Sequence, residues 1–309
     1  MTSPRLSQSH STDNPSFRSG FVGIVGKPNV GKSTILNAFL DRKVSITSPR
    51  PQTTRQRILG ILTRPDAQAI FIDTPGWHKP QHPLGQYMVG VARGVIEEAD
   101  VLLAVIGAES GIEQEDEWVF DQIRRAKRPA ILAVNKVDVV SKPLVLPLIE
   151  RCAALTLFEE YIPISARKGD NMPVLLTELI KRLPAGPRWY EEGQITDQTS
   201  EQLIREFIRE AALHATQQEV PHALAVQLED ATDKETVTVI RATILVERDG
   251  QKAIVIGRHG QMLKRIGQQA RLEIERWLGR RVFLELWVKV AKDWRRSPSM
   301  LRDLGYRGG

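Results

Sequence analysis

Apolar and polar positions alternate in two different rhythms along this 309-residue chain. From Phe21 to about residue 183, short apolar runs are separated by longer amphipathic stretches. The runs are FVGIV, AIFI, VLLAVI, AILAV and YIPI, and stretches such as 113–126 and 173–183 have helical spacing. This alternation predicts an α/β domain built on a mostly parallel sheet. Residues 57–72 contain two apolar runs joined around Pro65-Asp66, which predicts an antiparallel pair of strands at the sheet edge.

The second rhythm begins after LPAGPRWYEEG (183–193), whose two prolines and two glycines predict a linker. The apolar positions that follow predict the order helix, strand, strand, helix, strand. They are Leu203, Ile204, Phe207, Ile208 and Ala211, then Leu224, Val226 and Leu228, then Ile240, Ala242, Ile244 and Val246, then Leu263, Ile266, Ala270, Ile274 and Trp277, and finally Val282, Leu284, Leu286, Val288 and Val290. We therefore predict a disordered polar tail at 1–18, a first domain at 19–184, a linker at 185–199 and an α+β second domain at 200–309.

Composition narrows the class of protein. The chain is 41% hydrophobic and 26% charged, which is typical of a soluble globular protein. Its single cysteine, Cys152, cannot form an internal disulfide, and no apolar run approaches the ~20 residues that span a bilayer. Residues 1–18 lack the apolar segment of a secretory signal. We therefore expect a cytoplasmic protein.

Charge is unevenly distributed within the second domain. Residues 200–251 contain 5 Lys/Arg and 10 Asp/Glu, whereas residues 252–309 contain 14 and 5. The final segment thus has a net charge of +9, although the whole chain carries only +6. Such a concentration of positive charge fits a surface that binds a polyanion. Charge alone does not exclude the alternative, which is a basic face that is exposed to solvent and binds nothing.

The segment GKPNVGKS follows an apolar run and precedes a helical pattern, and it matches G-x-x-x-x-G-K-[ST]. In this motif, backbone N–H groups and the helix N-terminus bind phosphates. Lys32 would bridge the β- and γ-phosphates, and Ser33 would bind Mg²⁺. The predicted nucleotide contacts here are Gly26, Lys27, Pro28, Asn29, Val30, Gly31, Lys32, Ser33 and Thr34.

Guanine is predicted from NKVD, which supplies Asn135, Lys136 and Asp138 after a buried strand. A carboxylate at Asp138 can accept hydrogen bonds from guanine N1–H and the 2-amino group. Adenine has no N1–H and would leave the carboxylate unpaired. ISARKG (164–169) follows the next apolar run, and we expect the Ala166 N–H, flanked in the chain by Ser165 and Arg167, to reach guanine O6.

Two further elements complete the predicted site for phosphate and metal. DTPG contributes Asp73, which would hold Mg²⁺ through water, and Gly76, whose N–H would contact the γ-phosphate; Thr74 and Pro75 lie between them. The polar stretch RPQTTRQR offers a threonine hydroxyl that can join the Mg²⁺ shell when the γ-phosphate is present. Thr54 is favoured over Thr53, and the choice remains open. The predicted metal ligands are Ser33, Thr54 and Asp73.

These elements, in this order, resemble the translation-factor class of GTPases. The resemblance implies hydrolysis of GTP to GDP and phosphate, with Lys32, Thr54, Gly76 and Asn29 as catalytic residues. Ras-like members have a water-orienting glutamine where this chain has Trp77, so intrinsic hydrolysis should be slow. In several relatives an asparagine at the position of Asn29 helps to bind K⁺. Whether Asn29 binds K⁺ or only braces the loop stays open.

The second domain contains Gly257-Arg258-His259-Gly260, with a predicted amphipathic helix behind it. A G-x-x-G sequence alone is weak evidence for a binding site, because an ordinary turn can have the same sequence, but here it lies inside the basic segment. The order of elements resembles a type II KH domain, which clamps about four nucleotides with such a loop. The predicted RNA contacts are Gly257, Arg258, His259, Gly260, Lys264, Arg265, Lys292, Arg295 and Arg296.

Residues 20–307, including ILVERDGQK (244–252) and LELWVKV (284–290), resemble the bacterial Era family, whose members belong to the TrmE-Era-EngA-like GTPases. The resemblance implies a GTP-dependent factor that binds the 3′ end of 16S ribosomal RNA during maturation of the 30S subunit. It also places residues 292–306 beside the RNA, where Arg295 and Arg296 could equally be surface charges. We expect GTP or GDP and Mg²⁺ as ligands and a monomeric protein. Peripheral contact with the inner membrane is left open.

Two other functions compete with this interpretation. One is a nucleotide-dependent metabolic enzyme, such as a nucleotide kinase, that carries an RNA-binding module; no residues for an acceptor substrate stand out in the sequence. The other is a GTPase of tRNA modification or metal transport. Proteins of these kinds need an added catalytic domain or membrane spans, and neither was found in the sequence.

Overall fold

The computed structural model describes residues 17–50, 53–77, 80, 82–216 and 220–306. In the described part of the first domain, strands and helices alternate as the apolar pattern predicts. They are β1 (Arg18–Val25), α1 (Lys32–Leu40), β2 (Ile58–Thr63), β3 (Ala67–Asp73), α2 (Pro83–Glu98), β4 (Val101–Gly107), α3 (Gln114–Ala126), β5 (Ala130–Asn135), α4 (Val145–Ala153), β6 (Glu160–Pro163) and α5 (Met172–Arg182).

Within these residues the strands form a six-stranded sheet in the order β2-β3-β1-β4-β5-β6. The β2–β3 pair is antiparallel, with Ile61 opposite Ile70, and the other pairs are parallel. This confirms the α/β fold class and the antiparallel pair at the edge. The central strands β1 and β4 carry the apolar runs because helices cover both faces of the sheet. The carboxyl ends of the parallel strands therefore share one edge, where the motifs lie.

One predicted boundary, the end of the polar tail, differs from the structure. The tail was predicted to reach residue 18, but Phe17 is buried and Arg18 already pairs with Ala67 in the sheet. Residues 1–16, the rest of the predicted tail, lie outside the described residues. Residues 185–199, all of which the structure describes, form no regular helix or strand. This linker packs along the first domain: the Trp189 N–H donates to Gln68 Oε1 at 2.7 Å.

The second domain contains α6 (Ser200–Ala215), β7 (Ala225–Asp233), β8 (Thr238–Val246), α7 (Asp249–Ile256), α8 (Gln261–Leu278), β9 (Val282–Val290) and α9 (Pro298–Asp303). In the described residues its three strands run in the order β7-β8-β9, with β8 and β9 parallel. The predicted order missed α7. The apolar residues Ile254, Val255 and Ile256 form its last turn, and so short an apolar run does not distinguish helix from strand. None of the described helices is both long and apolar enough to cross a membrane.

The two domains pack against each other along α6 and the segment 291–306. Trp294 and Tyr306 belong to a buried apolar cluster that also includes Leu84 and Met88 of α2. Arg55 is buried between the domains, where its Nη1 donates to Leu224 O at 2.6 Å. The loop between α1 and β2, which carries the predicted Mg²⁺ threonine, therefore lies against the second domain.

Candidate nucleotide-binding site and nucleic-acid interface

A cavity of about 710 Å³ opens at the carboxyl edge of the parallel strands. Residues that lie more than a hundred positions apart in the sequence meet there. The predicted site residues that line it are Pro28, Asn29, Gly31, Lys32, Ser33, Thr34, Thr54, Gly76, Lys136 and Arg167. The loop from Ile46 to Pro49 forms another part of the wall. The predicted phosphate, metal and base elements thus surround one cavity.

The phosphate-binding loop, residues 26–33, wraps around the ammonium group of Lys32. Its Nζ donates to Gly26 O at 3.1 Å and to Lys27 O at 2.9 Å. Burial lowers the pKa of Lys32 to about 8, although Asp73 and Asp116 oppose the shift. Gly31 has φ 101°, and a Cβ there would lie 2.2 Å from Asn135 Nδ2. The loop therefore requires glycine at this position both for its backbone conformation and for the close approach of Asn135.

The three predicted metal ligands lie together at the end of β3. Ser33 Oγ donates to Asp73 Oδ2 at 2.6 Å and lies 2.9 Å from Thr54 Oγ1. Burial raises the pKa of Asp73, while Lys32 and the hydroxyl groups oppose the rise. Among the described residues, none gives Asp73 Oδ1 a hydrogen bond, although this oxygen is buried. A carboxylate with a spare oxygen beside two hydroxyls is the hard-oxygen set that Mg²⁺ prefers.

The neighbouring Thr53 also lines the cavity, but its hydroxyl has a different partner. Thr53 Oγ1 donates to Arg50 O at 2.7 Å, so its hydroxyl is used within its own loop. Ser45, which sequence reasoning missed, instead joins the metal cluster and donates to Asp73 Oδ2 at 2.9 Å. Asn37 Oδ1 holds the chain at Ser45 by accepting its N–H at 3.0 Å. Ser45 belongs to no sequence motif, and it reaches Asp73 only because the loop after α1 folds back toward β3.

The base-binding elements are joined to the phosphate-binding loop by Asn135. Its Nδ2 donates to Val30 O at 2.8 Å, and its Oδ1 accepts the Ala166 N–H at 3.0 Å. The predicted contact of that N–H with guanine O6 would therefore compete with Asn135. Asp138 Oδ1 accepts from Ser165 Oγ at 2.8 Å, and this hydrogen bond lowers the pKa of the carboxyl. Asp138 thus presents an ionised acceptor at the sheet edge.

For three predicted nucleotide contacts the side chain is used within the protein, so the contact stays a prediction for the backbone alone. Lys27 extends away from the cavity, and its Nζ contacts Glu113 at 2.6 Å and Asp116 at 2.9 Å. The Val30 side chain lies in the apolar core. Thr74 is buried and its hydroxyl donates to Ile24 O at 2.8 Å. These side chains hold the fold of the loops that surround the cavity.

At the end of the DTPG element, the Gly76 backbone lies beside the phosphate-binding loop and the Trp77 side chain lies in the core. A Cβ on Gly76 would lie 2.7 Å from Pro28 N, so the chain passes very close to the phosphate-binding loop. Trp77 is 8% exposed and packs with Val25 and Ile96 in the core. Its ring is therefore turned away from the cavity, which agrees with the absence of a water-orienting side chain at this position.

Asn29 occupies the left-handed region with φ 64°. Its Nδ2 donates to Pro49 O at 3.0 Å and so links the phosphate-binding loop to the loop after α1. On the base side of the cavity, Lys136 forms an ion pair with Glu109, which also lines the wall and was not predicted.

The second domain supplies a side chain to the nucleotide cavity. His214, in the last turn of α6, lines the wall, and its Nε2 lies 2.9 Å from Thr47 O. One turn earlier, Glu210 Oε1 accepts the Thr47 N–H at 2.9 Å. Arg209 donates to Thr53 O. Sequence reasoning missed all three residues, because only the packing of the domains brings α6 to this loop.

The predicted RNA loop lies between α7 and α8. Gly257, His259 and Gly260 all have positive φ, at 71°, 50° and 76°. A Cβ on Gly257 would lie 2.6 Å from Met262 Cβ, so glycine is needed there. Beside the loop, a groove of about 490 Å³ runs between α8 and β9, lined by Gly260, Leu263, Lys264, Gly267, Gln268, Arg271, Val282, Phe283, Leu284 and Leu286. Arg271 and Phe283 were not predicted, although both lie on elements that were.

The predicted basic contacts fall into two groups. The side chains of Arg258, His259, Lys264, Arg265, Lys292 and Arg296 are exposed. Arg295 is instead paired with Glu247 at 2.5 Å, and its side chain is only 25% exposed. The RNA contact of Arg295 stays a prediction, but the residue after β8 supplies a counter-ion that the sequence pattern did not reveal.

The fold and the two sites define a P-loop GTPase joined to a KH-fold RNA-binding module. The family model of the 50S ribosome-binding GTPase matches residues 21–136, and that of the KH domain matches residues 219–295. The GTPase Era of Heliobacterium modesticaldum is 46% identical over 94% of this chain and 97% of its own length. The chain belongs to the Era family of GTPases.

Solved structures of Era agree with this assignment. One is a complex of Era with MgGDPNP and nucleotides 1506–1542 of 16S ribosomal RNA, at 44% identity and a TM-score of 0.91. Another is a variant of Aquifex aeolicus Era bound to GDP·AlF4⁻, at 43% identity and a TM-score of 0.91. Each match covers 94% of this chain and 99% of the other. The predicted fold class and the predicted family are both confirmed.

Proposed function

We propose that the protein binds GTP and Mg²⁺ in the cavity of the first domain, hydrolyses GTP, and binds the 3′ end of 16S ribosomal RNA through the groove of the second domain. In this way it would assist maturation of the 30S subunit. The observation that carries the proposal is the 94% coverage by an Era structure that contains both MgGDPNP and this RNA segment. Both candidate sites are formed in this chain, which supports the transfer of function.

In the nucleotide site, Ser33, Thr54 and Asp73 would hold Mg²⁺, which would neutralise charge on the phosphate oxygens. Their short contacts and the spare oxygen of Asp73 support this set. Lys32 would exchange the carbonyls of Gly26 and Lys27 for the β- and γ-phosphates. The Gly76 N–H lies at the same wall and would respond to the γ-phosphate.

Hydrolysis by this chain alone should be slow, because Trp77 packs in the core and cannot orient the attacking water. K⁺ is a further candidate cofactor, with Asn29 Oδ1 as a ligand. Asn29 could bind K⁺ and brace the loop at the same time, because the contact with Pro49 O uses Asn29 Nδ2 and not Oδ1. If K⁺ contributes, hydrolysis should run faster in KCl than in NaCl at equal ionic strength, and Asn29→Ala should remove the difference. Equal rates in the two salts would leave Asn29 with only a structural role.

In the RNA site, the loop at residues 257–260 would clamp the phosphate backbone while bases lie in the groove between α8 and β9. The positive φ angles and exposed cations of the loop support this role. Lys292, Arg295 and Arg296 remain predicted contacts at the C-terminal segment. A monomeric state and a cytoplasmic location also remain predictions, and so does peripheral contact with the inner membrane.

The proposal is tested by binding of an oligonucleotide that copies the 16S 3′ end, measured with GDP and with a non-hydrolysable GTP analogue. A scrambled oligonucleotide of the same composition is the control. We expect the natural sequence to bind more tightly than the scrambled one, and cross-linking in cells to recover 16S ribosomal RNA. Equal binding of the two oligonucleotides, or cross-links mainly to tRNA, would contradict the proposal and favour the tRNA-modification alternative.

The remaining alternative, a metabolic enzyme with an RNA module, predicts transfer of the γ-phosphate to a small molecule. Assay of labelled GTP with cellular small-molecule extract distinguishes it. Release of inorganic phosphate as the sole labelled product supports the GTPase, whereas a labelled organic product would support the kinase.

A further inference from the structure

Behind the phosphate-binding loop lies a cluster of charged side chains that the proposed mechanism does not use. Lys27 Nζ contacts Ser110 Oγ at 2.9 Å, Glu113 Oε2 at 2.6 Å and Asp116 Oδ2 at 2.9 Å. Lys27 is thus a residue of the phosphate-binding loop whose side chain ends at the start of α3. Burial works against a charged ammonium here, but the hydrogen bonds with Asp116 and Glu113 raise the pKa of Lys27.

The carboxylates of this cluster differ in their surroundings. The side chain of Asp116 is 1% exposed, whereas that of Glu113 is 52% exposed. Asp116 Oδ2 accepts both Lys27 Nζ and the Glu113 N–H, the latter at 3.0 Å. Its Oδ1 is buried without a hydrogen-bond partner in the described part of the chain. Solvent can screen Glu113 but not Asp116, so the ammonium of Lys27 is the counter-charge that Asp116 depends on.

The same carboxylate also acts on Lys32. Asp73 and Asp116 are the two anionic groups whose charges favour the protonated form of Lys32. Asp73 lies on the metal side of the cavity, where Mg²⁺ would balance it. Asp116 does not line the cavity, and it contacts the loop through Lys27. Any charge on Asp116 that Lys27 does not neutralise would therefore hold Lys32 back from the phosphates and repel the phosphates themselves.

We propose that Lys27 is a positioning residue for nucleotide binding: its ammonium neutralises the buried Asp116 behind the phosphate-binding loop and so leaves Lys32 free to bind phosphate. The inference rests on the proposed binding of guanine nucleotide in the cavity. It adds a role for the Lys27 side chain to the predicted contact of the Lys27 backbone with the nucleotide. It also assigns a role in nucleotide binding to Asp116, which belongs to no recognised GTPase motif in this sequence.

The test compares Lys27→Met, Asp116→Asn and the double variant Lys27→Met/Asp116→Asn. Methionine keeps the length of the lysine stem without the charge, and asparagine keeps an oxygen that can accept the Glu113 N–H. Dissociation constants for Mg·GDP and for a Mg-bound GTP analogue are measured at 25 °C, and thermal unfolding is followed in parallel. Wild-type binding of Mg·GDP comes first, because its absence would refute the proposed function rather than this inference.

We expect Lys27→Met to weaken both nucleotides by about tenfold to a hundredfold, since breaking a buried pair exposes an uncompensated charge. The double variant should regain most of this loss, because it no longer contains the anion. Lys27→Arg should bind like the wild type. Glu113→Gln is the matched control, and it should change affinity by less than about twofold, because its carboxylate is half exposed.

Two outcomes would overturn the inference. If the double variant binds as weakly as Lys27→Met, the lysine acts on the phosphates directly and not through Asp116. If Lys27→Met lowers the unfolding temperature but keeps full nucleotide affinity, the cluster only stabilises the fold. Recovery of affinity without recovery of the unfolding temperature is the signature of a positioning role.

Discussion

The nucleotide site and the RNA site are built in opposite ways. In the nucleotide site, Lys32, Asp73 and Asn135 are buried, and each is hydrogen-bonded to another part of the site. In the RNA site, Arg258 and His259 are exposed at the tip of a loop whose conformation depends on its own glycines. A small, highly charged ligand needs donors that are already oriented and shielded from water, whereas a long polyanion needs a surface that it can reach.

The two sites also differ in which domains build them. Strand ends and loops of the first domain surround the nucleotide cavity, and His214 of the second domain completes its wall. The groove beside the G-x-x-G loop is lined, within the described residues, only by α8, β9 and the loop itself. Changes in the second domain can therefore reach the nucleotide site, while the RNA groove has its full lining without the first domain.

Asp138→Asn should reverse the base preference of the nucleotide site. It replaces an acceptor with a donor that suits the 2-carbonyl of xanthine better than the 2-amino group of guanine. We expect the ratio of GTP to XTP affinity to change on the order of a thousandfold or more, because a site built for hydrogen bonds rejects a ligand that leaves them unmade. Competition between the two nucleotides measures this ratio. A variant that still prefers GTP would show that Asp138 does not read the base.

Arg258→Asp combined with His259→Asp should weaken RNA binding without changing nucleotide affinity. Both side chains are exposed and both glycines of the loop remain, so the fold should be kept. We expect affinity for the 16S 3′-end oligonucleotide to fall by about tenfold to a hundredfold. The slope of log affinity against log salt concentration should become shallower by about 0.7 for each lost phosphate contact. Wild-type affinity with an unchanged salt dependence would refute the KH role of this loop.

Nucleotide affinity should fall as pH rises above the pKa of Lys32, which is about 8 in the unliganded protein. Phosphate binding requires charged Lys32, so at about pH 9 binding must first take up a proton and should be about tenfold weaker. Stability of the unliganded protein should change in the opposite direction. The unfolded lysine keeps its proton up to about pH 10.4, whereas the folded lysine loses it above about pH 8. The free energy of unfolding should therefore rise with pH between these two values, because the folded protein no longer buries a charge.

These two trends are measured together, by nucleotide titration and by chemical denaturation without nucleotide, between pH 7.5 and 9. RNA binding at the second domain serves as the control and should not follow the same curve. If affinity stays flat across the whole range while stability also stays flat, Lys32 does not titrate there and its burial is less complete than the hydrogen bonds to Gly26 and Lys27 indicate.

The smallest effect is expected from His214→Ala, with His259→Ala as its matched control. Both histidines are exposed in the second domain, but only His214 lines the nucleotide cavity and contacts Thr47. Loss of one hydrogen bond should weaken nucleotide binding by about twofold to tenfold and leave RNA binding unchanged. His259→Ala should do the reverse. If both variants affect the same ligand, the two sites are not divided between the domains as described.

The sequence predicted most of the fold where its signals were long or repeated. The strands β1 and β3 to β6 and the helix α8 were recovered because each contains an apolar run or a stripe with clear spacing. The helix α7 was missed because it is short and its apolar residues are adjacent. The end of the polar tail was misjudged at Phe17, because a single buried aromatic residue has no periodic neighbours.

Within the nucleotide site, the sequence identified the residues that belong to motifs but not the directions of their side chains. Lys27 and Lys32 belong to the same motif, yet one contacts Asp116 and the other the carbonyls of its own loop. Ser45 and His214 carry no motif, and they reach the site only because a loop folds back and two domains pack together. Arg295 has the local composition of an RNA contact, but Glu247 from a distant strand neutralises it.

What the sequence determined by itself is the chemistry of this protein: a phosphate-binding loop, an acceptor for guanine, an oxygen set for Mg²⁺ and a glycine loop within a basic segment. These follow from short motifs, because backbone conformation and functional groups are encoded within a few adjacent residues. Only the tertiary structure decided which charges oppose or neutralise one another, as Asp116 does with Lys27, and which domain completes the nucleotide cavity. Electrostatic interaction depends on distance in space and on exclusion of water, and neither can be inferred from separation along the chain.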